Sequence, residues 1–344
     1  MVWNIDFVIS SIVILAILLY FYTKLQRLPI ERYRAFSRLI SMCLVTLAVD
    51  LLTSFVNVQA AFLPRGIGVV AQIAYYFCIT LRGYFFYRYF LATLKGGVQL
   101  TRTVRRLPLL PLGTYLCVLV IDAAQKPMTH QSISGEVLNL VCAFYAIYSI
   151  FLVAQGKEHY QKPEFQSLIV ANGLLLLGIF FHRSLPGVLI LNFFVTATIL
   201  MLFLSMQDPK RYISGEVGAY NVDGLREVYQ ELNEKNEPVC TLGFVVIAYG
   251  DLKAMHGEAT IHRIMIEIGN YLREMHTRSN GDWTYYYLDN GSFAILGSSE
   301  MPLRRLQAVV LHRFQQVWQA GNVDIILEAH SFLMRDDVRP HDTD

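Results

Sequence analysis

Two groups of residues in this chain have types and spacings that bear on chemistry. The first is Asp50 and Arg82, ionisable side chains set in otherwise apolar stretches. A charge held in hydrocarbon costs at least a few kcal/mol unless it finds a partner. An Asp50–Arg82 ion pair between neighbouring helices is therefore expected, serving as a structural clamp or as part of a ligand or ion site. The second group is the turn Asp289-Asn290-Gly291 with Ser292 and Phe293 behind it and Tyr285, Tyr286 and Tyr287 ahead of it. Asn-Gly between two β-prone runs predicts a tight hairpin. The three tyrosines could stack a base, although a half-buried strand takes such residues for packing. His256 and His262 lie six apart, a poor spacing for one metal, and read as surface residues. Cys43, Cys78, Cys117, Cys142 and Cys240 have no CxxC spacing, so neither a disulfide framework nor a metal site is expected.

The elements that must position these groups follow from composition. The 344 residues are 54% apolar and 16% charged, with a mean hydropathy of +0.39. Through Met206 there are 16 Lys and Arg against 7 Asp and Glu; from Gln207 onward there are 13 against 20. This divides the chain into a membrane domain over 1–206 and an acidic soluble domain over 207–344. An acidic soluble part argues against a nucleic-acid partner, which needs a basic footprint.

Seven apolar stretches, at about 5–23, 39–58, 67–91, 107–124, 133–154, 166–183 and 187–206, are long enough to cross a bilayer. The first has no basic n-region and no small-residue cleavage site, and is expected to be retained. Thirteen basic residues fall in one set of loops: Lys24 to Arg38, Lys95 to Arg106, Lys157 with Lys162, and Lys210 with Arg211. The alternate loops hold Arg65, Lys126 and Arg183. That alternation predicts an outside N-terminus and a cytoplasmic C-terminal domain in a cell membrane. Arg88 is expected to snorkel to the interface. The aromatic third span, with Tyr75, Tyr76, Phe77, Tyr84, Phe85, Phe86, Tyr87, Tyr89 and Phe90, reads as helix packing or a ligand surface. Pro186 and Gly187 mark a tight turn, and no internal repeat of the kind transporters carry is evident.

Asp208-Pro209 ends the apolar run. Beyond it, period and punctuation predict a helix over 222–235, a buried strand over 242–248 and a helix over 258–275. Short strands follow at 284–288 and 293–296, then an amphipathic helix over 303–320 and a last strand over 323–334. The order contains a split-βαβ, ferredoxin-like core. The expected fold class is thus a bundle of seven transmembrane helices followed by an α+β domain.

At these residues the soluble part resembles a GGDEF, or diguanylate cyclase, domain. Gly218, Tyr220 and Asn221 echo the family's opening segment, and Ala248-Tyr249-Gly250-Asp251-Leu252-Lys253 resembles its D-x-D-x-F-K segment. Tyr287 to Phe293 lies where the family has R-x-G-G-D-E-F, followed by the apolar Ala294-Ile295-Leu296. The resemblance implies a cyclase fold whose two magnesium-holding carboxylates are replaced here by Ala248 and Ser292. Asp289 and Asn290 stand in place of the paired glycines that admit nucleotide phosphates. The family's R-x-x-D product-inhibition motif would fall at Asn280 and Trp283 and is absent; Arg278 and Asp282 have the wrong spacing. Asp251 is a displaced metal ligand only if the register slips. The expectation is therefore no catalytic residue, metal or cofactor, with Asp289, Asn290, Gly291, Ser292 and Phe293 as a degenerate signature.

The function so implied is an inactive membrane signalling scaffold that pairs with itself or a relative. It would regulate a membrane partner such as a glycosyltransferase or polymer synthase in exopolysaccharide synthesis or export. The alternatives are a receptor for cyclic di-GMP or another nucleotide, an active cyclase, and a seven-helix transporter or small-molecule receptor with a regulatory tail. The last predicts a continuous polar cavity around Asp50 and Arg82.

Overall fold

The computed structural model describes residues 6–59, 64–94, 107–125, 133–184, 190–206, 209–215, 217–279, 283–321 and 323–336. Lys95, Arg102, Arg105, Arg106, Lys126, Pro186, Gly187, Asp208, Asn280 and Asp282 lie outside them. The chain forms two compact units, Met1–Asp208 and Pro209–Asp344.

The first unit contains helices α1 (Asp6–Lys24), α2 (Glu31–Val58), α3 (Arg65–Thr93), α4 (Leu109–Gln125), α5 (Ile133–Gln155), α6 (Lys162–Ser184) and α7 (Ile190–Met206). Each falls on one of the expected apolar stretches. Five, namely α1, α2, α3, α5 and α6, are long and apolar enough to cross a membrane. The apolar helices α4 and α7 are shorter, 17 residues each, or roughly 25 Å of helix against a hydrocarbon core of about 30 Å. Of the seven expected spans, five thus meet the length requirement among the described residues. Helix α1 packs on both α2 and α7, α2 on α3, α3 on α5, α5 on α6 and α6 on α7, with α4 against α3 and α5, so the helices close into a ring.

Large apolar side chains such as Leu52, Phe55, Val70, Phe180 and Leu204 stay exposed, as expected of surfaces solvated by lipid rather than water. Inside, hydroxyls turn back on their own helices: Thr46, Thr53, Thr80, Ser149 and Thr198 each donate to the carbonyl four residues earlier. Those bonds satisfy groups that hydrocarbon would leave unpaired. The aromatic third span is used for packing. Tyr75, Tyr76, Ile79 and Tyr87 join Tyr115, Leu119, Leu138 and Tyr145 in one buried cluster. Tyr145 and Tyr115 donate their hydroxyls to the carbonyls of Pro108 and Ser134.

The second unit contains α8 (Val222–Glu234), β1 (Val239–Val246), α9 (Tyr249–His256), α10 (Glu258–Arg278), β2 (Trp283–Tyr287), β3 (Ser292–Gly297), α11 (Glu300–Phe314), β4 (Val317–Ala320), β5 (Val323–Ile326) and β6 (Ala329–Asp336). The main sheet runs β2-β3-β1-β6, antiparallel throughout, which is the split β-α-β-β-α-β order. Its core joins Leu242, Phe244, Val246, Phe293 and Ile295 from the sheet to Ile261, Ile264, Met265, Ile268 and Leu272 of α10. Leu303, Leu306, Val310 and Phe314 of α11 complete it.

Four elements differ from the sequence expectation. The strand expected at 242–248 is β1 at 239–246, and an unexpected helix, α9, starts right after Ala248. None of the residues of α9 is buried, so it carries no apolar period to read. The helix expected to reach residue 320 stops at Phe314. Trp318 and Ala320 then alternate inward against outward Val317 and Gln319, and β4 pairs with β5 in a separate hairpin. Trp318 lies four residues after Phe314 and imitates a helical stripe, which is why periodicity misread it. The single strand expected at 323–334 is accordingly two, β5 and β6.

Candidate functional site

In the helical unit Asp50, Arg82 and Asn192 are buried, at 2%, 3% and 6% exposure. The expected direct ion pair is replaced by a bridge. The amide nitrogen of Asn192 donates to Asp50 Oδ2 at 2.6 Å, and Arg82 Nη1 donates to Asn192 Oδ1 at 3.0 Å. One carboxamide on α7 thus faces an acid on α2 with its donor and a base on α3 with its acceptor. Asn192 was missed by sequence reading because it is neutral, yet a lone amide in the run Ile190-Leu191-Asn192-Phe193-Phe194 is the signal that could have found it. A cavity of about 40 Å³ is lined by Arg82 but not by Asp50. Arg88, one turn and a half beyond Arg82, is exposed.

In the second unit the signature residues lie at one end of the sheet. Ser292 N–H donates to Asp289 O at 2.9 Å, closing a turn around Asn290 and Gly291. Both have positive φ, 48° and 73°, the pattern of a type I′ turn. Asp289 is left-handed as well, at 69°. The turn is tied to β1 by Val246 N–H donating to Gly291 O at 3.0 Å, and Ser292 pairs with Val245. A Cβ on Gly291 would stand 2.7 Å from the Tyr249 ring, so this glycine answers both a backbone and a space requirement. Ala248 sits just past the end of β1, exposed, with left-handed φ 53° and ψ 35°, and its carbonyl starts α9 by accepting from Leu252 N–H.

The sheet end therefore presents a methyl at Ala248, a hydroxyl at Ser292 and two exposed polar residues at Asp289 and Asn290. Asp251 is exposed in the first turn of α9. Among the described residues, no three His, Cys, Asp or Glu side chains gather to hold a metal ion. His256 closes α9 and His262 lies on α10, with the positive-φ Gly257 between the two helices. Lys253, at the lysine of the D-x-D-x-F-K segment, pairs with Glu258 at 2.6 Å. That contact lowers the Glu258 carboxyl from its ordinary range. Arg278 pairs with Glu274.

The tyrosines ahead of the turn point into the protein. Tyr285 and Tyr287 join the core and Tyr286 packs on the Tyr220 ring at 5.7 Å, so packing claims all three. Burial pushes the Tyr286 hydroxyl far above its usual range. The opening segment is structural in the same way. Asn221 caps α8 by accepting from Gly224 N–H, and Tyr220 O accepts from Tyr287 N–H at 2.7 Å, fastening the segment to the hairpin. Such a cap contributes about 1 kcal/mol.

No family model and no curated protein matches this chain. Solved structures do. The chain is similar to the GGDEF domain of FimX from Pseudomonas aeruginosa, at 15% identity over 37% of this chain and 82% of that one, with a TM-score of 0.33. It is similar to a diguanylate cyclase/phosphodiesterase from Caldicellulosiruptor saccharolyticus, at 12% identity over 36% and 75%, TM-score 0.32. It is also similar to the diguanylate cyclase SiaD from Pseudomonas aeruginosa, whose structure is a complex with its activator SiaC, at 14% identity over 68% and 87%, TM-score 0.35. These neighbours are all GGDEF or diguanylate cyclase structures, the family that the hairpin and its flanking segments resemble.

Proposed function

We propose that this is a membrane protein of seven spans whose cytoplasmic GGDEF-like domain does not cyclise GTP and serves as a docking surface. The observation that carries the reading is the pair of side chains at the sheet end, Ala248 and Ser292. Phosphoryl transfer needs magnesium bridging the phosphates, and magnesium takes carboxylate oxygens; a methyl has no lone pair and a neutral hydroxyl is a weak substitute. Asp289 in the turn adds a negative charge where a triphosphate would approach. A domain that keeps the hairpin, the cap and the core without metal ligands retains surface and shape, which suit binding to a protein. The partner in this reading is a second copy, a related domain, or a membrane glycosyltransferase or polymer synthase. The solved complex of SiaD with its activator SiaC is in keeping with such a role.

Purified full-length protein incubated with GTP and Mg²⁺ is expected to yield no cyclic dinucleotide, while purification from native membrane is expected to retain a membrane protein partner. Formation of product would remove the reading. Recovery of the chain alone, as a monomer, would remove the docking role.

A further inference from the structure

The cavity beside Arg82 has an unusual lining. Its wall is mostly apolar, from Ile79, Leu175 and Val195 among others, but Arg82 and Asn172 both open onto it. Asn172 is fully buried on α6. Its amide nitrogen donates to Leu168 O at 2.9 Å, while its Oδ1 has no hydrogen-bond partner. Among the described residues Arg82 bonds only Asn192, leaving guanidinium donors for the cavity. An unpaired buried carbonyl is costly, and an underused guanidinium more so. One acceptor lacks a donor and one donor lacks an acceptor across the same void.

We propose that this cavity is a binding site for water inside the helical unit, joining Arg82 to Asn172. Water is the ligand that donates to Oδ1 and accepts from the guanidinium at once. A volume of about 40 Å³ holds about three or four molecules when each needs roughly 10–15 Å³, and is too small for a metabolite. Ser149, buried on the wall and donating to Tyr145 O, still has a lone pair to offer. With water in place, Asp50, Asn192, Arg82, the water and Asn172 form one hydrogen-bonded chain through α2, α7, α3 and α6. The helices are then linked in their interior through water.

The proposal rests on the helices being membrane-spanning, which insertion of the full chain into lipid nanodiscs tests separately. The site itself is tested there by millisecond X-ray hydroxyl-radical labelling in ¹⁸O water. Cys142 and Tyr145 line the cavity, whereas the buried Cys43 does not. Both are expected to take up label at least five-fold faster than Cys43. Asn172→Leu, which fills the void, is expected to bring Cys142 down to the Cys43 rate, and Ser149→Val, an independent filling, to lower it several-fold. Labelling of Cys142 no faster than Cys43 in the wild type, or unchanged in a correctly inserted filling variant, overturns the site.

Discussion

The two units place their charged groups in opposite ways. The helical unit buries an acid and a base in an apolar interior and joins them through a neutral amide. The second unit has uncharged side chains, Ala248 and Ser292, at the sheet end where the family it resembles carries acids. In the first, polar groups are costly and are kept, so they hold the helices to one arrangement. In the second, on the function proposed above, the sheet end lacks the carboxylates that phosphoryl transfer requires while the hairpin packs into the core. The contrast separates what a fold needs from what a reaction needs: the hairpin survives on Gly291, Phe293 and the Val246–Gly291 bond, none of which does chemistry.

The largest effect is expected from breaking the bridge. Asn192→Leu leaves both Asp50 and Arg82 buried without their shared partner, and loss of one member of such a network costs about 3–5 kcal/mol. The folded fraction surviving heat in nanodiscs measures it. A sharper form exchanges the charges. Asp50→Arg and Arg82→Asp should each lower the yield of inserted protein, and the double variant should recover most of it. A half-turn of the Asn192 amide presents donor and acceptor the other way round, so failure of the double variant would sink the bridge.

Phe293→Ala removes a core side chain at the hairpin and is expected to cost about 3–5 kcal/mol, read from denaturant unfolding followed by Trp283 and Trp318 fluorescence. If the hairpin were a loose nucleotide loop rather than part of the core, the change would be slight. Gly291→Ala is expected to cost about 1–3 kcal/mol through its left-handed backbone and the Tyr249 ring. In a Tyr249→Ala background the cost should fall toward the backbone share of about 1 kcal/mol.

The smallest effect concerns pH. His276 stacks edge-on to Trp283 at 5.2 Å, and burial lowers its pKa below the ordinary histidine value. The unfolded chain therefore binds this proton more readily than the folded one. Stability from the neutral ring is complete above the unfolded pKa, near 6.5, and is lost as pH falls below it toward the folded value. The second unit's unfolding temperature should drop by a degree or two between pH 7 and 5, and His276→Phe should flatten that drop.

How much could be read from the sequence depended on whether a residue's role was local. The helices were legible because hydropathy averages over twenty residues and tolerates an isolated polar group. The hairpin was legible because Asn290-Gly291 encodes its own turn. The region 315–326 was not, because Trp318 fits a helical stripe and a strand alternation equally well and only pairing with β5 decides. Helix α9 has no fully buried residue and left no apolar period. The Asp50–Arg82 relation was half legible: two charges announced that partners were needed, but the partner is an amide 110 residues from Arg82, and no spacing rule reaches that far. Asn172 was missed for the same reason.

On the function proposed here, the sheet end does not grip a divalent cation. The most direct measurement is Mn²⁺ titration of the full-length protein in nanodiscs, followed by electron paramagnetic resonance, with and without a non-hydrolysable GTP analogue. Wild type is expected to leave the free Mn²⁺ signal unchanged up to millimolar metal beyond what the analogue alone sequesters, and the double variant Ala248→Asp with Ser292→Glu to bind more. Stoichiometric uptake by the wild type at micromolar Mn²⁺ would contradict the claim.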